Sequence, residues 1–222
     1  MKNDGQYFVF FDIDRTIVDM NSGFALGKAA YKQGMLRFPD IVNALFYAAL
    51  YKLKLRSAEK MITGMGAWLK GLSAETVSML ANKAVNEYLI YSVYKNFRNE
   101  LMFHNSHTAH TVFLTSAIRE LCIPLSAHLG IRSIICTEME CDEGIYTGRP
   151  AGNYCYGIEK ARRLEEFCRK HGVDLHTSFF YADSISDLPA LELTGNPVCV
   201  NPDNELKKTA TERGWRIEYW ER

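Results

Sequence analysis

Two aspartates stand two places apart, Asp12 and Asp14, at the end of the apolar run in "FVFFDIDRTIVD" (residues 8–19). Side chains at i and i+2 of a strand share a face, so both carboxylates gather at one strand end. That pairing is stable only where a cation lies between the charges or one group holds a proton. Further along, "VFLT" ends in Thr115, with Ser116 and Arg119 behind it, and Lys160 falls in the first turn of a helical stretch. "FFYADSISD" then delivers Asp183 and Asp187. Oxygen-only ligands of this kind suit Mg²⁺, and a hydroxyl with an ammonium suits phosphoryl oxygens. A lone D-x-D or a lone lysine says little; their joint order and strand-end placement carry the reading.

These residues need elements to bring them together. β-rich runs cover Tyr7 to Asp12, Thr111 to Thr115, Ser133 to Thr137, Ser178 to Ala182 and Pro197 to Val200, and helical patterns alternate with them. Such alternation predicts an α/β fold with a parallel sheet flanked by helices. In a parallel sheet the strand ends share one edge, so the polar groups converge there. The clearest helix begins near Gly157, with Ile158, Ala161, Leu164 and Phe167 on one stripe and Gly172 as its stop. Residues 22 to 90 read as helix only, too long for a simple crossover, so they form an insertion after the first strand, broken near Pro39 and at "KGLS" (70–73). Residues 91 to 107 return as a crossover helix. "EMECDEGIYTG" carries Asp142, Glu143 and Gly144 between extended pieces and predicts a hairpin.

The chain has 222 residues, 47% hydrophobic and 23% charged, enough for one large domain or a core with an insertion. Lys plus Arg balances Asp plus Glu at 26 each, so no global field favours nucleic acid or a membrane surface. The N-terminus lacks a secretory pattern, the six cysteines form no C-x-x-C pair, and no apolar run approaches the roughly 18–20 residues of a membrane span. A cytoplasmic protein with reduced, mostly buried thiols is the expectation.

The four motifs, D-x-D-x-T at 12–16, the run ending in Thr115, Lys160 and D-S-x-x-D at 183–187, resemble the haloacid dehalogenase superfamily of phosphatases. "GIYTGRP", "CYGIEKARRL" and "GNPVCVNPD" resemble its phosphoserine-phosphatase-like branch. The resemblance implies a three-layer Rossmann-like core (1–21 and 91–222) and an all-helical cap domain (22–90). It implies Asp12 as nucleophile, forming an aspartyl-phosphate, and Asp14 as acid and then base. Mg²⁺ would be held by Asp12, the backbone carbonyl of Asp14 and Asp183, with Asp187 either ligating it or orienting its ligands, while Thr115 and Lys160 hold phosphoryl oxygens. Thr16, Ser116 and Arg119 are placed among the groups that touch substrate. For Arg119 a solvated helix start is an equal reading.

Arg15 stands where this superfamily most often has glycine; by alternation it points away from the two aspartates. Arg149 reads as a solvated residue. "HNSHTAH", with His104, His107 and His110, lacks partners for a tetrahedral metal set and reads as a solvated helix end. For the apolar stretch 41–55 three readings stand: packing within the cap, lining a substrate pocket, or lying at a membrane interface with Lys52, Lys54 and Arg56 at its end. The leading function is a Mg²⁺-dependent phosphatase of a small phosphorylated metabolite. A phosphatase for a lipid-derived phosphate at a membrane and a non-catalytic binding protein are the alternatives. Neither the substrate nor the oligomeric state is written in the sequence.

Overall fold

A computed structural model describes residues 7–36 and 66–222. Six strands form one parallel sheet: β1 (Phe8–Phe11), β2 (His110–Ile118), β3 (Ser133–Thr137), β6 (Phe179–Ala182), β7 (Asn196–Val200) and β8 (Arg216–Glu218), in the order β3-β2-β1-β6-β7-β8. The central β1 pairs with β2 and with β6, Val9 lying opposite both Thr111 and Phe179. Its four residues are all buried, as expected of a parallel strand covered on both faces. Alternation divides them: Val9 and Phe11 join one apolar cluster, Phe8 and Phe10 the other.

The first cluster gathers α1 (Ser22–Lys32), α2 (Ala74–Glu87), α3 (Lys95–Ser106) and α4 (Arg119–Leu129). The second gathers α5 (Ile158–His171), the short α6 (Leu188–Leu191) and α7 (Asn204–Arg213). The result is the expected three-layer α/β core. Helix α5 carries a buried stripe of Lys160, Ala161, Leu164 and Cys168 and ends at Gly172 in the left-handed conformation.

The predicted hairpin is present as β4 (Met139–Asp142) and β5 (Ile145–Pro150). Its central residues Glu143 (φ 44°) and Gly144 (φ 81°) both have positive φ, which suits the right-handed twist of the flanking strands. The chain returning toward α2 lies along this hairpin: Gly71 N–H donates to the Tyr146 carbonyl at 2.9 Å, Tyr146 N–H to Leu72 at 2.9 Å, and Ala74 N–H to Gly144 at 2.8 Å.

Three expectations change. Strand β2 begins at His110 and runs to Ile118, with a register irregularity between Leu114 and Ile118. Strand β8 is an addition: three residues are too short to show a period. His104 does not lie at a solvated helix end but is 1% exposed, against Tyr7 and Tyr181; His107 is exposed as expected. The stretch 41–55 lies outside the described residues. Among the described residues no helix is long and apolar enough to cross a membrane, and all six cysteines are free, Cys141 alone being exposed.

Candidate active site

Asp12 follows β1 directly, and its N–H donates to the Tyr181 carbonyl at 3.0 Å, extending the β1–β6 ladder by one residue. Immediately after Ala182 the same sheet edge presents Asp183 and, four residues on, Asp187. Asp12, Asp183 and Asp187 each offer a carboxylate oxygen within 4.8 Å of the others. Lys160 reaches this trio from the first turn of α5. Its Nζ lies 2.9 Å from Asp12 Oδ1 and 2.7 Å from Asp187 Oδ1, with the Phe180 ring 5.6 Å away. Asp12, Asp187 and Lys160 are all buried.

The charge balance is unfavourable as it stands. Burial, with Asp12 and Asp187 nearby, pushes Asp183 up to about 8. Burial raises Asp187 to about 6 although Lys160 pulls it back. Burial alone would lower the Lys160 ammonium; Asp12 and Asp187 outweigh it and hold the group charged. One ammonium cannot neutralise three carboxylates, and Asp187 Oδ1, close to Lys160, makes no aligned hydrogen bond. Three clustered oxygens with surplus negative charge fit a hard divalent cation.

Asp14 occupies a different position. Its Oδ1 accepts from Ser22 N–H at 2.8 Å and its Oδ2 from Asn21 Nδ2 at 2.9 Å, so the start of α1 fixes its side chain away from the trio. Burial and the Asp12 charge nonetheless raise it to about 6, against the lowering effect of Ser22. A carboxyl titrating there can both give and take a proton near neutrality.

Thr115 is fully buried. Its hydroxyl oxygen accepts from Ala117 N–H at 3.2 Å, and its hydrogen has no acceptor among the described residues. Ser116 is half-buried beside it. Thr16 is also buried, its hydroxyl 3.4 Å from Asp12 Oδ2 and 3.5 Å from Asp183 Oδ1, facing carboxylates. Arg119 is exposed and pairs with Glu138 at 3.2 Å, the solvated reading, and exposed Arg149 pairs with Glu140 at 3.3 Å.

The sequence reading passed over three residues. Asn21 caps α1, accepting from Phe24 N–H at 3.0 Å, and with Ser22 it orients Asp14. Asp203 caps α7 through Leu206 N–H at 2.8 Å, accepts from Ile185 N–H at 2.9 Å, and donates its own N–H to the Asp183 carbonyl at 2.8 Å. That locks the turn carrying Asp183 and Asp187. Asn or Asp just before a helix is a capping signal, which was available for both.

The haloacid dehalogenase-like hydrolase family model matches residues 9–192. Phosphoserine phosphatase SerB1 of Mycobacterium tuberculosis is 27% identical over 212 residues, covering 94% of this chain and 69% of that protein. A histidinol-phosphatase of Neisseria meningitidis is 29% identical over 223 residues, covering 98% of each. Among solved structures, a protein of unknown function from Bordetella pertussis Tohama I superposes with a TM-score of 0.87 at 22% identity, covering 96% of this chain and 98% of that one. A phospho-aspartyl intermediate analogue of phosphoserine phosphatase gives 0.71 at 13% identity, covering 99% and 95%. The chain belongs to the haloacid dehalogenase-like hydrolases and is a phosphoric monoester hydrolase of the phosphoserine-phosphatase-like kind.

Proposed function

We propose that the chain hydrolyses small phosphomonoesters in two steps through a phosphate ester of Asp12, with Mg²⁺ as cofactor. In the first step an Asp12 oxygen attacks phosphorus while the bond to the leaving oxygen breaks, and Asp14 passes its proton to that oxygen. In the second, Asp14, now a carboxylate, takes a proton from water, whose oxygen attacks phosphorus. The Asp12–phosphorus bond breaks and inorganic phosphate leaves. A carboxylate nucleophile divides one hard displacement into two easier ones.

Asp12, Asp183 and Asp187 would hold Mg²⁺, with the Asp14 backbone carbonyl. When bound, the ion supplies positive charge to a phosphoryl group whose own charge spreads over its oxygens. Lys160 holds Asp12 in place, and an ammonium hydrogen not used on Asp12 can serve a phosphoryl oxygen. The unspent Thr115 hydroxyl hydrogen can serve another, with Ser116 next to it. Thr16 braces Asp12 and Asp183. We take residues 22–90 as the cap, of which residues 37–65 lie outside the described residues, and amino-alcohol phosphates of the kind named for the relatives are the first substrates to try.

The observation that carries the reading is the contrast between two neighbouring aspartates: Asp12 is held by the Lys160 ammonium at 2.9 Å, while Asp14 is bound instead by Asn21 and Ser22 and is raised to about 6. Phosphate release from a panel of phosphorylated metabolites, with and without Mg²⁺, tests it. Asp12→Asn should abolish turnover, and full turnover by that variant would overturn the mechanism.

A further inference from the structure

Arg15 lies beside the catalytic loop and takes no part in the chemistry above. Its φ is 60°, the left-handed region that disfavours any residue with a Cβ, and this explains why glycine is the expected occupant. Strained residues persist where the surroundings over-determine them, often at ligand sites. The strand has already ended at Phe11, so strand alternation no longer sets the direction of residue 15. The side chain is exposed, and among the described residues it has no hydrogen bond or ion pair. Its positive charge is nevertheless felt at Asp183, whose pKa it lowers.

The guanidinium lines an open cavity of about 530 Å³, walled by Tyr94, Asn201 and Trp220. Asn201, at φ 43°, is the second left-handed residue there. Its amide is fixed at both ends by the Trp220 backbone, accepting from N–H at 3.0 Å and donating to the carbonyl at 3.2 Å. The other arginine of the cavity, Arg222, is engaged by Asp19. Asp19 and Glu221 line the cavity as well, and Arg15 is its arginine without an ion-pair partner among the described residues. Asn201 gives the cavity a fixed wall and Arg15 an uncommitted cation, and Arg15 is the chain neighbour of Asp14, the proposed proton donor to the leaving oxygen.

We propose that Arg15 and this cavity form a subsite for a second anionic group, a carboxylate or another phosphate, on the part of the ester that departs. The subsite makes Arg15 a specificity residue favouring doubly anionic phosphomonoesters, and it rests on the phosphomonoesterase reading of the adjoining site. A guanidinium–carboxylate contact is charge-assisted and directional, so its loss should cost about tenfold in discrimination.

The test compares 2-carboxyethyl phosphate with propyl phosphate, which differ in the distal group. Wild type should prefer the former in kcat/KM, and Arg15→Gln should reduce that preference about tenfold. Arg15→Gly, better suited to a positive φ, should do the same without loss of thermal stability, which separates charge from folding, and Arg15→Lys should recover part of the preference. An unchanged preference in Arg15→Gln and Arg15→Gly overturns the subsite while leaving the hydrolase intact. Calorimetric binding of both esters to Asp12→Asn, with and without Arg15→Gln, separates the two claims. If wild type turns over neither ester, Arg15-dependent discrimination in binding upholds the subsite without the hydrolytic reading, and its absence there overturns the subsite.

Discussion

Replacing His104 by glutamine should remove a defined, pH-dependent part of the stability. His104 is 1% exposed and lies in a chain of hydrogen bonds whose direction can be assigned. The Tyr181 hydroxyl donates to Glu100 Oε2 at 2.8 Å, so it accepts from His104 Nε2 at 2.8 Å, and Nδ1 at 2.9 Å accepts from Tyr7. The ring is neutral, and burial lowers its pKa to about 4, with Glu100 acting in the opposite sense. In the unfolded chain the value is about 6.5. The unfolded state therefore binds the proton more tightly. The stabilisation is complete above about pH 6.5 and is lost as pH falls through about 4. The shift amounts to about 3 kcal/mol in full and about 2 kcal/mol between pH 7.5 and 5. Asp14, Asp183 and Asp187, with raised pKa values, act with the opposite sign: their repulsion is relieved as pH falls. Taking the difference between wild type and His104→Gln cancels them. Urea unfolding at the two pH values, with m unchanged, should show the wild-type advantage shrinking by about 2 kcal/mol. A difference flat to within about 0.5 kcal/mol would refute the assignment of His104 as a buried neutral group.

Lys160→Met should leave Asp12, Asp183 and Asp187 without their shared cation. Turnover should fall about 10²–10³-fold, and stability by about 3 kcal/mol at neutral pH, with the stability loss shrinking in acid as the carboxylates protonate; phosphate release and urea titration check both. Asp14→Asn should still be phosphorylated by para-nitrophenyl phosphate, whose leaving group needs no proton, but should stall afterward, so stopped-flow should show a burst of nitrophenolate and a slow steady state. Gly195→Ala should destabilise the fold by about 1–3 kcal/mol, because the added methyl runs into the His176 carbonyl; a shift in the urea midpoint measures it.

The core was legible because its signals are local and redundant. β3 is found where its apolar run predicted it, Ser133–Thr137, and β1, β6 and β7 differ only at their ends, since a buried parallel strand needs an uninterrupted apolar run. The hairpin was marked by Glu143-Gly144, whose positive φ values a turn of that kind demands. What escaped depends on distant partners. Nothing near His104 announces that Tyr7, 97 residues away, and Tyr181, 77 away, will close around it. Arg15 was read from strand alternation, but the left-handed turn at that residue ends the strand geometry on which alternation rests. The carboxylates of Asp12, Asp183 and Asp187 come together because a parallel sheet brings its strand ends to one edge whatever the loop lengths. Their fine roles depend on caps: Asn21 and Ser22 hold Asp14, and Asp203 holds the Asp183 turn.

The central claim is that phosphorus passes through Asp12. The most direct measurement is to quench the enzyme with acid during turnover of a ³²P-labelled phosphomonoester in Mg²⁺, reduce the acyl phosphate with borohydride, and locate the modified residue by peptide mass spectrometry. Reduction expels the labelled phosphate, so label is counted before it: the account predicts protein-bound label that borohydride releases and a reduced residue at Asp12, both absent in Asp12→Asn and, with para-nitrophenyl phosphate as donor, both accumulating in Asp14→Asn. Label on Asp14, or full turnover with no acyl phosphate at any time point, would contradict it.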